Sequence, residues 1–413
     1  MTPAARVAAA IEVLEIWRDG TDGLDRVLAA WGRAHRFAGS GDRHAIADLA
    51  YATLRRARSL QWRGGAGDPG SALESFEPRR AVLALSVLQG QSPDAFAGQG
   101  RHAPAPLLEE EYHDLNKLKK ESNPSLEGVS PGLAVDLPDW VADHLVHLSR
   151  EALFALGERA PLDLRVNTLK TSIEEASAAL AEDGVLAQPG PLAPTCLRVD
   201  EAARRVAGSR AYREGLVEIQ DAASQAVAAY AGADPGETVL DLCAGGGGKT
   251  LALAAAMGGP RHGGRLLAYD IAPGRMRDLR PRAARAGAAV EILATADLSS
   301  LPEACDLILA DAPCSGSGAW RRNPDASWRF TPDDLAQLEA TQDRILDQAA
   351  RLLRPGGRLV YATCSILPAE NEARIEAFLA RTRGFVETGP RFVSLPNPAG
   401  GDGFFASMMQ KSQ

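Results

Sequence analysis

From about residue 233 onward, this 413-residue chain alternates short apolar runs with helical segments, and this alternation restricts the fold more than any other feature of the sequence. Apolar runs joined by helices are typical of a parallel sheet covered on both faces. In such sheets, ligands bind beyond the carboxyl ends of the strands. The sequence therefore predicts an α/β domain over residues 233–413, with strands at 238–243, 265–270, 290–294, 306–310 and 358–363.

The chain before residue 233 predicts two further regions. Residues 5–17 and 45–60 each place apolar side chains on one helical face, which indicates a helical domain at the start of the chain. Between residues 89 and 131 the composition turns to Gly, Pro, His and charge, as expected of a linker or domain edge. We assign residues 1–130 to this helical domain and its linker.

Residues 131–232 have a mixed pattern, which we interpret as a small α+β module that leads into the last domain. The module's predicted helices and strand-like pieces are 140–156 (helix), 162–167 (strand), 173–183 (helix) and short strands around Leu197 and Val217.

The charge and cysteine content limit the class of protein. The net charge of −8 counts against a nucleic-acid binder held by bulk electrostatics. An RNA partner would need a focused basic track, but each of the basic clusters at 55–63, 275–285 and 321–322 is by itself more typical of a solvated helix face. Five cysteines without a CxxC pair argue against disulfides and a zinc site. We expect a cytoplasmic protein with free thiols, no bound metal and no membrane segment.

A glycine-rich turn, DLCAGGGGKT at residues 241–250, follows the first predicted strand of the α/β domain. Glycine lets the backbone approach a ligand closely, and the helix N-terminus behind it favours an anionic group. A P-loop would require glycine at position 243, where the chain has Cys243. Asp270, at the end of the next strand, suits ribose hydroxyls, and Asp297 is a candidate for contacting adenine, although an aspartate there is often a helix cap. The pattern alone fits a dinucleotide enzyme equally well.

Two cysteines follow the last two predicted strands, in DAPCSGSG at 311–318 and YATCS at 361–365. A single cysteine is commonly a buried structural residue. Two cysteines at strand ends, each followed by serine, favour thiols that are placed for chemistry. These two are Cys314 and Cys364. We interpret Cys196, Cys243 and Cys305 as structural, and Cys243 is near the cofactor by its position only.

In combination, these motifs resemble the RNA (cytosine-5)-methyltransferases of the Sun/Fmu (RsmB-like) type. The resemblance extends over most of the chain, and the N-terminal helices are similar to the antitermination-factor-like RNA-binding domain of bacterial members. The chain departs from the family at Gly246, where the turn commonly has proline. Further matching segments are LRVNT at 164–168, QDAASQ at 220–225, RRNPD at 321–325, ENE at 370–372 and DGFF at 402–405.

The resemblance implies a fold and a cofactor. The fold is a Rossmann-like class I S-adenosylmethionine-dependent methyltransferase domain with a mixed parallel sheet, preceded by the small α+β module and the α-helical domain. The cofactor is S-adenosylmethionine. The residues that the resemblance and the turn pattern assign to it are Cys243, Ala244, Gly245, Gly246, Gly247, Gly248, Lys249, Asp270, Asp297 and Asp311.

The resemblance also implies a reaction in which Cys364 adds to carbon 6 of cytosine and thereby activates carbon 5. Asp311 is the implied partner of ring nitrogen 3, and Cys314 assists loss of the carbon 5 proton and release of Cys364. Lys249 is a further active-site position whose role is open. Because DNA cytosine methyltransferases use the cysteine of a Pro-Cys motif as nucleophile, exchanged roles for Cys314 and Cys364 are an alternative.

The expected partner is RNA, with small-subunit ribosomal RNA as the family's main bacterial precedent and transfer RNA as an alternative. The target base must be single-stranded or flipped out, and Arg321, Arg322 and Trp328 are candidate contacts for the backbone or a stacked base. Two other classes stay open: a non-catalytic RNA-binding assembly factor and a small-molecule methyltransferase. The helical domain and the long lead-in favour a macromolecular substrate. We expect a monomer.

Overall fold

A computed structural model describes residues 1–96, 102–121, 128–259, 262–298 and 300–413. Its helices are α1 (Pro3–Asp19), α2 (Leu24–Ala34), α3 (Ser40–Arg55), α4 (Ala57–Arg63), α5 (Pro78–Leu88), α6 (Glu109–Glu121), α7 (Pro131–Val135), α8 (Asp139–His144), α9 (Arg150–Ala155), α10 (Ile173–Glu182), α11 (Arg210–Arg213), α12 (Ala222–Ala231), α13 (Gly248–Ala256), α14 (Leu279–Ala286), α15 (Thr295–Leu298), α16 (Pro324–Arg329), α17 (Pro332–Leu352) and α18 (Glu372–Arg381). Its strands are β1 (Leu162–Val166), β2 (Leu186–Pro189), β3 (Cys196–Glu201), β4 (Val217–Ile219), β5 (Thr238–Asp241), β6 (Arg265–Ala268), β7 (Glu291–Ile292), β8 (Cys305–Asp311), β9 (Leu353–Thr363), β10 (Phe385–Glu387), β11 (Phe392–Ser394) and β12 (Phe404–Lys411).

The chain forms two compact units. The helical unit comprises Met1–Arg159 together with Trp320–Phe330, and the α/β unit comprises Ala160–Ala319 and Thr331–Gln413. The sequence did not predict that residues 320–330 belong with the N-terminal helices. The three-part division, with boundaries at residues 130 and 232, stays a prediction.

The helical unit is built around amphipathic helices that bury one face. Helix α1 begins at Pro3, behind Thr2, whose hydroxyl accepts a hydrogen bond from the Ala5 amide at 3.2 Å. This is the usual arrangement of a helix start, with a side-chain cap followed by proline. Leu14 and Trp17 of α1 are fully buried in a core shared with α3, α4 and α5.

Two helices predicted as continuous are broken, and side-chain hydrogen bonds explain both breaks. The predicted helix 45–60 divides at Arg56, because the Ser59 amide donates to the Asp136 carboxylate at 2.7 Å instead of continuing α3. The predicted helix 140–156 divides into α8 and α9, because the Ser149 hydroxyl caps a new helix through the Ala152 amide at 3.2 Å.

The segment predicted as a linker, residues 89–131, contains helix α6. Glu111 of α6 is buried and forms an ion pair with Arg79 at 2.9 Å, so this helix packs against the unit instead of running free. The rest of that prediction falls partly on residues 97–101 and 122–127, which lie outside the described residues.

The α/β unit contains a small antiparallel sheet with strand order β2-β3-β1-β4. Helix α10 begins with a capping box, in which the Ser172 hydroxyl and the Glu175 carboxylate accept each other's backbone amides. Its apolar face covers Leu164 and Leu197 of the sheet. The strand-like and helical pieces predicted for residues 162–219 therefore form one α+β layer.

The larger sheet of the same unit has the order β10-β12-β9-β8-β5-β6-β7, and β11 pairs with β12. Strands β9, β8, β5, β6 and β7 are parallel, and β12 runs antiparallel between β9 and β10. The predicted Rossmann-like methyltransferase fold with a mixed sheet is confirmed. The five predicted strands are β5 to β9, whereas the predictions did not include the antiparallel strands β10 to β12. The third predicted strand, 290–294, is shorter than expected, at Glu291–Ile292.

Adjacent parallel strands β5, β8 and β9 end at the same edge of the sheet, where Asp241, Asp311 and Thr363 are the last strand residues. The helices that follow leave this edge open to a ligand. Within the described residues, no helix is both long and apolar enough to cross a membrane.

Candidate active site

The glycine-rich turn after β5 depends on backbone conformations that favour glycine. Gly245 and Gly247 have φ values of 51° and 84°, in the left-handed region. A Cβ atom on Gly247 would lie 2.2 Å from Cδ1 of Leu279, which is fully buried. Gly246, where the family commonly has proline, is exposed, and its carbonyl accepts a hydrogen bond from Arg282. The turn is thus packed on one side and open on the other.

Asp270 follows β6 and is fixed beside this turn. Its carboxylate accepts hydrogen bonds from the Gly245 amide at 3.0 Å and the Ala272 amide at 2.9 Å, and it pairs with Arg275 at 3.2 Å. A cleft of about 530 Å³ opens here, which lies within the usual size range of ligand sites. Its lining includes Leu242, Cys243, Tyr269, Asp270, Ile271 and Pro313.

Asp241, the last residue of β5, was not among the predicted site residues. Its Oδ2 accepts a hydrogen bond from the Thr250 hydroxyl at 2.6 Å, while its buried Oδ1 has no hydrogen-bond partner. Burial raises the pKa of Asp241 to about 7, against the opposing effect of the Thr250 hydrogen bond. A buried acceptor without a partner at a ligand edge indicates a site for a donor group. The first letter of the DLCAG motif was the signal that sequence analysis could have used.

These residues fit S-adenosylmethionine. Asp270 could accept hydrogen bonds from ribose hydroxyls, the crowded glycine turn brings backbone close to the ligand, and Asp241 offers its unpaired oxygen to a donor. Asp297 is exposed, and its carboxylate accepts a hydrogen bond from the Ala294 amide at 2.8 Å at the start of α15. Its contact with adenine stays a prediction.

Lys249 and Asp311 form an ion pair of 2.8 Å at the end of β8. The Lys249 ammonium is buried and also lies over the ring of Phe404, 4.9 Å from its centroid. Burial lowers the pKa of Lys249, but the charge and hydrogen bond of Asp311 outweigh it, so that the pKa lies above its usual value. The pair therefore fixes a carboxylate, about 29% exposed, in the opening of the site.

The two cysteines predicted from the strand ends do meet. Strands β8 and β9 pair in parallel with Asp311 opposite Ala362, and the thiols that follow them lie with Sγ atoms of Cys314 and Cys364 3.4 Å apart. The hydrogen bond to Cys364, together with burial, raises the pKa of Cys314 well above its usual value. Cys314 is therefore held as a thiol beside its neighbour.

Glu370, known from the sequence only as part of a matching segment, holds both cysteine loops. Its fully buried carboxylate accepts hydrogen bonds from the Ser315 amide at 2.8 Å, from the Ser315 and Ser365 hydroxyls, and from the Gln342 side chain at 3.0 Å. Ser315 follows Cys314 and Ser365 follows Cys364. One carboxylate thus joins the loop after β8 to the loop after β9.

The three predicted RNA contacts do not form a surface patch. Arg321 is fully buried, and Trp328 packs in the core of the helical unit with its ring 5.5 Å from that of Phe76. Neither side chain is available to a phosphate or a base, so both predictions are corrected. Arg322 is half-buried and lines a cleft of the helical unit.

The remaining cysteines are buried or nearly so. Burial raises the pKa of Cys196 to about 12 and that of Cys305 to about 11, so both stay thiols. Cys243 lines the cofactor cleft, and burial likewise raises its pKa.

Comparisons with known proteins identify the family. Residues 230–410 match the family described as "16S rRNA methyltransferase RsmB/F", and residues 138–206 match the ferredoxin-like domain of RsmF/B-like methyltransferases. The chain is 34% identical over 311 residues to "Probable ribosomal RNA small subunit methyltransferase B" of Synechocystis sp., a stretch that covers 69% of each protein.

Two further proteins are similar. "Ribosomal RNA small subunit methyltransferase B" of Klebsiella pneumoniae is 37% identical over 273 residues, covering 63% of this chain and 62% of that protein. The solved structure of a methyltransferase homologue from Pyrococcus horikoshii is 28% identical, with a TM-score of 0.58, and covers 70% of this chain and 100% of that one. With its glycine turn, paired strand-end cysteines and these matches, the chain belongs to the RsmB/F family of S-adenosylmethionine-dependent methyltransferases.

Proposed function

We propose that this protein methylates carbon 5 of a cytosine in RNA, with small-subunit ribosomal RNA as the substrate, through a covalent bond between Cys364 and the base. One observation carries the proposal: the Sγ atoms of Cys314 and Cys364 lie 3.4 Å apart, on the same strand edge as the pair of Lys249 and Asp311. The names of the relatives support ribosomal RNA as the substrate.

The first chemical step solves the low reactivity of the ring. Carbon 5 of cytosine is a poor nucleophile, and addition of the Cys364 thiolate to carbon 6 forms an S–C bond and pushes an electron pair toward carbon 5. A proton from solvent at ring nitrogen 3 takes up the charge, and Asp311 accepts a hydrogen bond from that N–H. Lys249 anchors the Asp311 carboxylate for this contact.

The second step completes the substitution. When bound, S-adenosylmethionine would supply an electrophilic methyl group to the electron pair at carbon 5, and its sulfonium would leave as the neutral thioether. Once Cys364 is a thioether, its hydrogen bond and charge no longer raise the pKa of Cys314, so Cys314 gives its proton to solvent more readily and its thiolate can accept the carbon 5 proton. The electron pair of that C–H bond restores the ring double bond, the S–C bond breaks, Cys364 leaves as a thiolate and nitrogen 3 releases its proton.

The assignment of Cys364 as the nucleophile follows the family resemblance. Either thiol can donate the hydrogen bond that joins them, so exchanged roles for Cys314 and Cys364 are the alternative that the adduct experiment tests.

The test is to express Cys314→Ser in bacterial cells and to look on a denaturing gel for a ribonuclease-sensitive band of raised mass. We expect an adduct, because Cys364 can still attack while release is impaired. The Cys314→Ser/Cys364→Ala double variant should give none, and Cys243→Ser is a matched control for the serine substitution. An adduct from Cys364→Ser in place of Cys314→Ser would show exchanged roles, and no adduct from either would contradict the covalent step.

Sequencing the trapped strand tests the substrate. Small-subunit ribosomal RNA is the expected strand, and a transfer RNA would support the alternative. Calorimetry with S-adenosylmethionine separates an enzyme from a non-catalytic assembly factor, which would not bind it. Methylation of free cytidine but not RNA would favour the small-molecule class. The monomeric state, the absence of metal and the cytoplasmic location stay predictions.

A further inference from the structure

A second cleft, of about 800 Å³, lies within the helical unit and is lined by arginines. They come from separate parts of the sequence: α1, the junction of α3 and α4, the segment after α9, and the segment 320–330. Together with Tyr51 of α3, they surround one opening. The five are Arg6, Arg55, Arg56, Arg159 and Arg322. Two of the basic clusters that the sequence left undecided, 55–63 and 321–322, therefore each contribute to the same cleft.

The lining has an excess of positive charge. It includes five arginines and two carboxylates, Asp48 and Glu158, and Arg6 also pairs with Asp42 at 2.8 Å, so that five positive charges face three negative ones. Arg159 pairs with Asp48 at 3.3 Å, but this pair is largely exposed, with side-chain exposures of 69% and 44%. This patch lies on a chain whose net charge is −8.

The environment of Arg55 shows that the arrangement is unfavourable without an anion. Arg55 is half-buried beside the Tyr51 ring, with its guanidinium carbon 5.8 Å from the ring centroid, and its Nε donates to the Arg321 carbonyl. Burial and the charge of Arg159 together lower the pKa of Arg55 to about 10. Like charges gathered in this way raise the free energy of the folded protein unless a ligand of opposite charge binds.

Two other groups of arginines pair with carboxylates of their own. Arg282 and Arg285 both pair with the buried Glu218. Arg58, in the same sequence cluster as Arg55, is buried and pairs with acidic side chains on either side of it, Asp68 at 2.6 Å and Asp139 at 3.0 Å. The cleft differs from these two groups because more arginines than carboxylates line it.

We propose that this cleft binds the phosphodiester backbone of the RNA substrate. The guanidinium fork matches phosphate oxygens in a bidentate geometry, and the Tyr51 ring on the cleft wall offers a face for a neighbouring base. This proposal rests on the proposed function, in which RNA is the substrate. It replaces the predicted contacts Arg321 and Trp328, which are buried, with the arginines of the cleft.

The test compares two double variants with the same change in charge. Arg56→Gln/Arg159→Gln removes two cleft charges, and Arg26→Gln/Arg33→Gln removes two exposed charges from α2, outside the cleft. Binding to deproteinised small-subunit ribosomal RNA is measured between about 50 and 200 mM KCl. We expect the cleft variant to bind at least about tenfold more weakly and to lower the slope of log K against log salt by about 1.4, or about 0.7 for each lost contact.

Equal affinity and slope for the two double variants would overturn the proposal. Inorganic phosphate is the second probe: phosphate that binds the wild type through the cleft without competing with RNA would also overturn it. Arg159→Glu, at the exposed rim of the cleft, is a further variant that should fold normally. The thermal unfolding temperature of each variant must match that of the wild type. Because Arg159→Glu reverses a charge at an exposed position, it should weaken RNA binding without loss of stability.

The two proposals can fail separately. If the cleft is correct and the enzyme is an RNA methyltransferase, the cleft variant should raise KM for RNA while kcat and S-adenosylmethionine affinity stay unchanged. Unchanged KM in an active cleft variant would remove the cleft proposal and leave the function intact. If the wild type methylates no RNA but binds it, and Arg56→Gln/Arg159→Gln weakens that binding, the proposed function would be wrong and the cleft proposal would stand.

Discussion

The substrate side and the cofactor side of the active site differ in how the buried carboxyl group of each is hydrogen-bonded. On the substrate side, Glu370 receives hydrogen bonds from both cysteine loops, and the Gln342 side chain completes its set of donors. On the cofactor side, Asp241 is equally buried but leaves Oδ1 without a partner, and Asp270 is paired with the largely exposed Arg275. Both oxygens of the Glu370 carboxylate thus have hydrogen-bond donors without any ligand, whereas one oxygen of Asp241 has none. The buried Oε1 of Gln342, on the substrate side, also lacks a partner.

The difference follows from what each side has to do. A nucleophile and its partner act only at fixed distances, so interactions that hold the cysteine loops in place favour the reaction. A cofactor must enter and leave in every cycle, and an unpaired acceptor gains a hydrogen bond only when the ligand is bound. We therefore expect the Glu370 contacts to hold the cysteine loops in place, and the unpaired oxygen of Asp241 to gain its hydrogen bond from the cofactor.

The strongest test of this contrast substitutes one cysteine on each side. Cys364→Ala should lower kcat for methyl transfer at least about a thousandfold, because the covalent step is lost. Cys243→Ala, in the cofactor cleft, should leave kcat within a few-fold and change mainly the KM for S-adenosylmethionine. Incorporation of labelled methyl groups into RNA measures both. Substantial turnover in Cys364→Ala would refute the proposed nucleophile.

The unsatisfied carboxyl should make stability depend on pH. Burial raises the pKa of Asp241 above its unfolded value of 3.8, so its stabilising contribution is present below about pH 4 and is lost as pH rises through about 7. At about 1.4 kcal/mol per pKa unit, the loss is roughly 4 kcal/mol. Asp241→Asn should remove this slope. Urea unfolding of both proteins from pH 4 to 8 measures it, and parallel curves would contradict the assignment.

The satisfied carboxylate should behave differently when it is altered. Glu370→Gln turns part of an acceptor into a donor, which leaves one of the donors of Ser315 or Gln342 unpaired. We expect a loss of about 2 to 3 kcal/mol in unfolding free energy and about a ten- to hundredfold fall in kcat, with S-adenosylmethionine affinity unchanged. Glu376→Gln, exposed on α18, is the control. Unchanged kcat would show that the loops do not need this anchor.

The glycine turn offers a smaller test of the cofactor side. Gly247→Ala forces a left-handed alanine against the fully buried Leu279, whereas Gly236→Ala has a similar φ of 88° with open space around it. Both should lose about 1 to 2 kcal/mol from the backbone, and Gly247→Ala about 1 to 3 kcal/mol more from crowding. Calorimetry should show weaker S-adenosylmethionine binding in Gly247→Ala alone. Equal affinities would mean that the turn does not shape the cleft.

Sequence analysis predicted the parallel half of the fold well, because each strand there is a short apolar run next to a helix. It also placed both thiols at strand ends, and the pairing of β8 with β9 brings them together. The antiparallel strands were missed. Strand β12 is buried on both faces for much of its length, so it has no alternation to identify it, and its neighbours β9 and β10 are set by the topology.

The errors at the site have a common physical origin. Arginine and tryptophan in RRNPDASW suggested exposed RNA contacts, but Arg321 is fully buried and Trp328 packs in the core of the helical unit, which a local pattern cannot reveal. Glu370 was visible as a motif letter, yet its role depends on two loops that are far apart in sequence. Burial and long-range hydrogen bonds were the missing information in each case.

The position of β12 has a consequence for how the protein is made. Strand β9 ends at Thr363 and β10 at Glu387, yet their shared neighbour in the sheet is β12, which ends at Lys411 and carries Phe404 against Lys249. During translation, the ribosome needs roughly 3 to 12 s to pass from Leu353 to Lys411 at about 5 to 20 residues per second. Throughout that interval the edge of β9 lacks its partner, and the growing polypeptide cannot yet hold a finished methylation site.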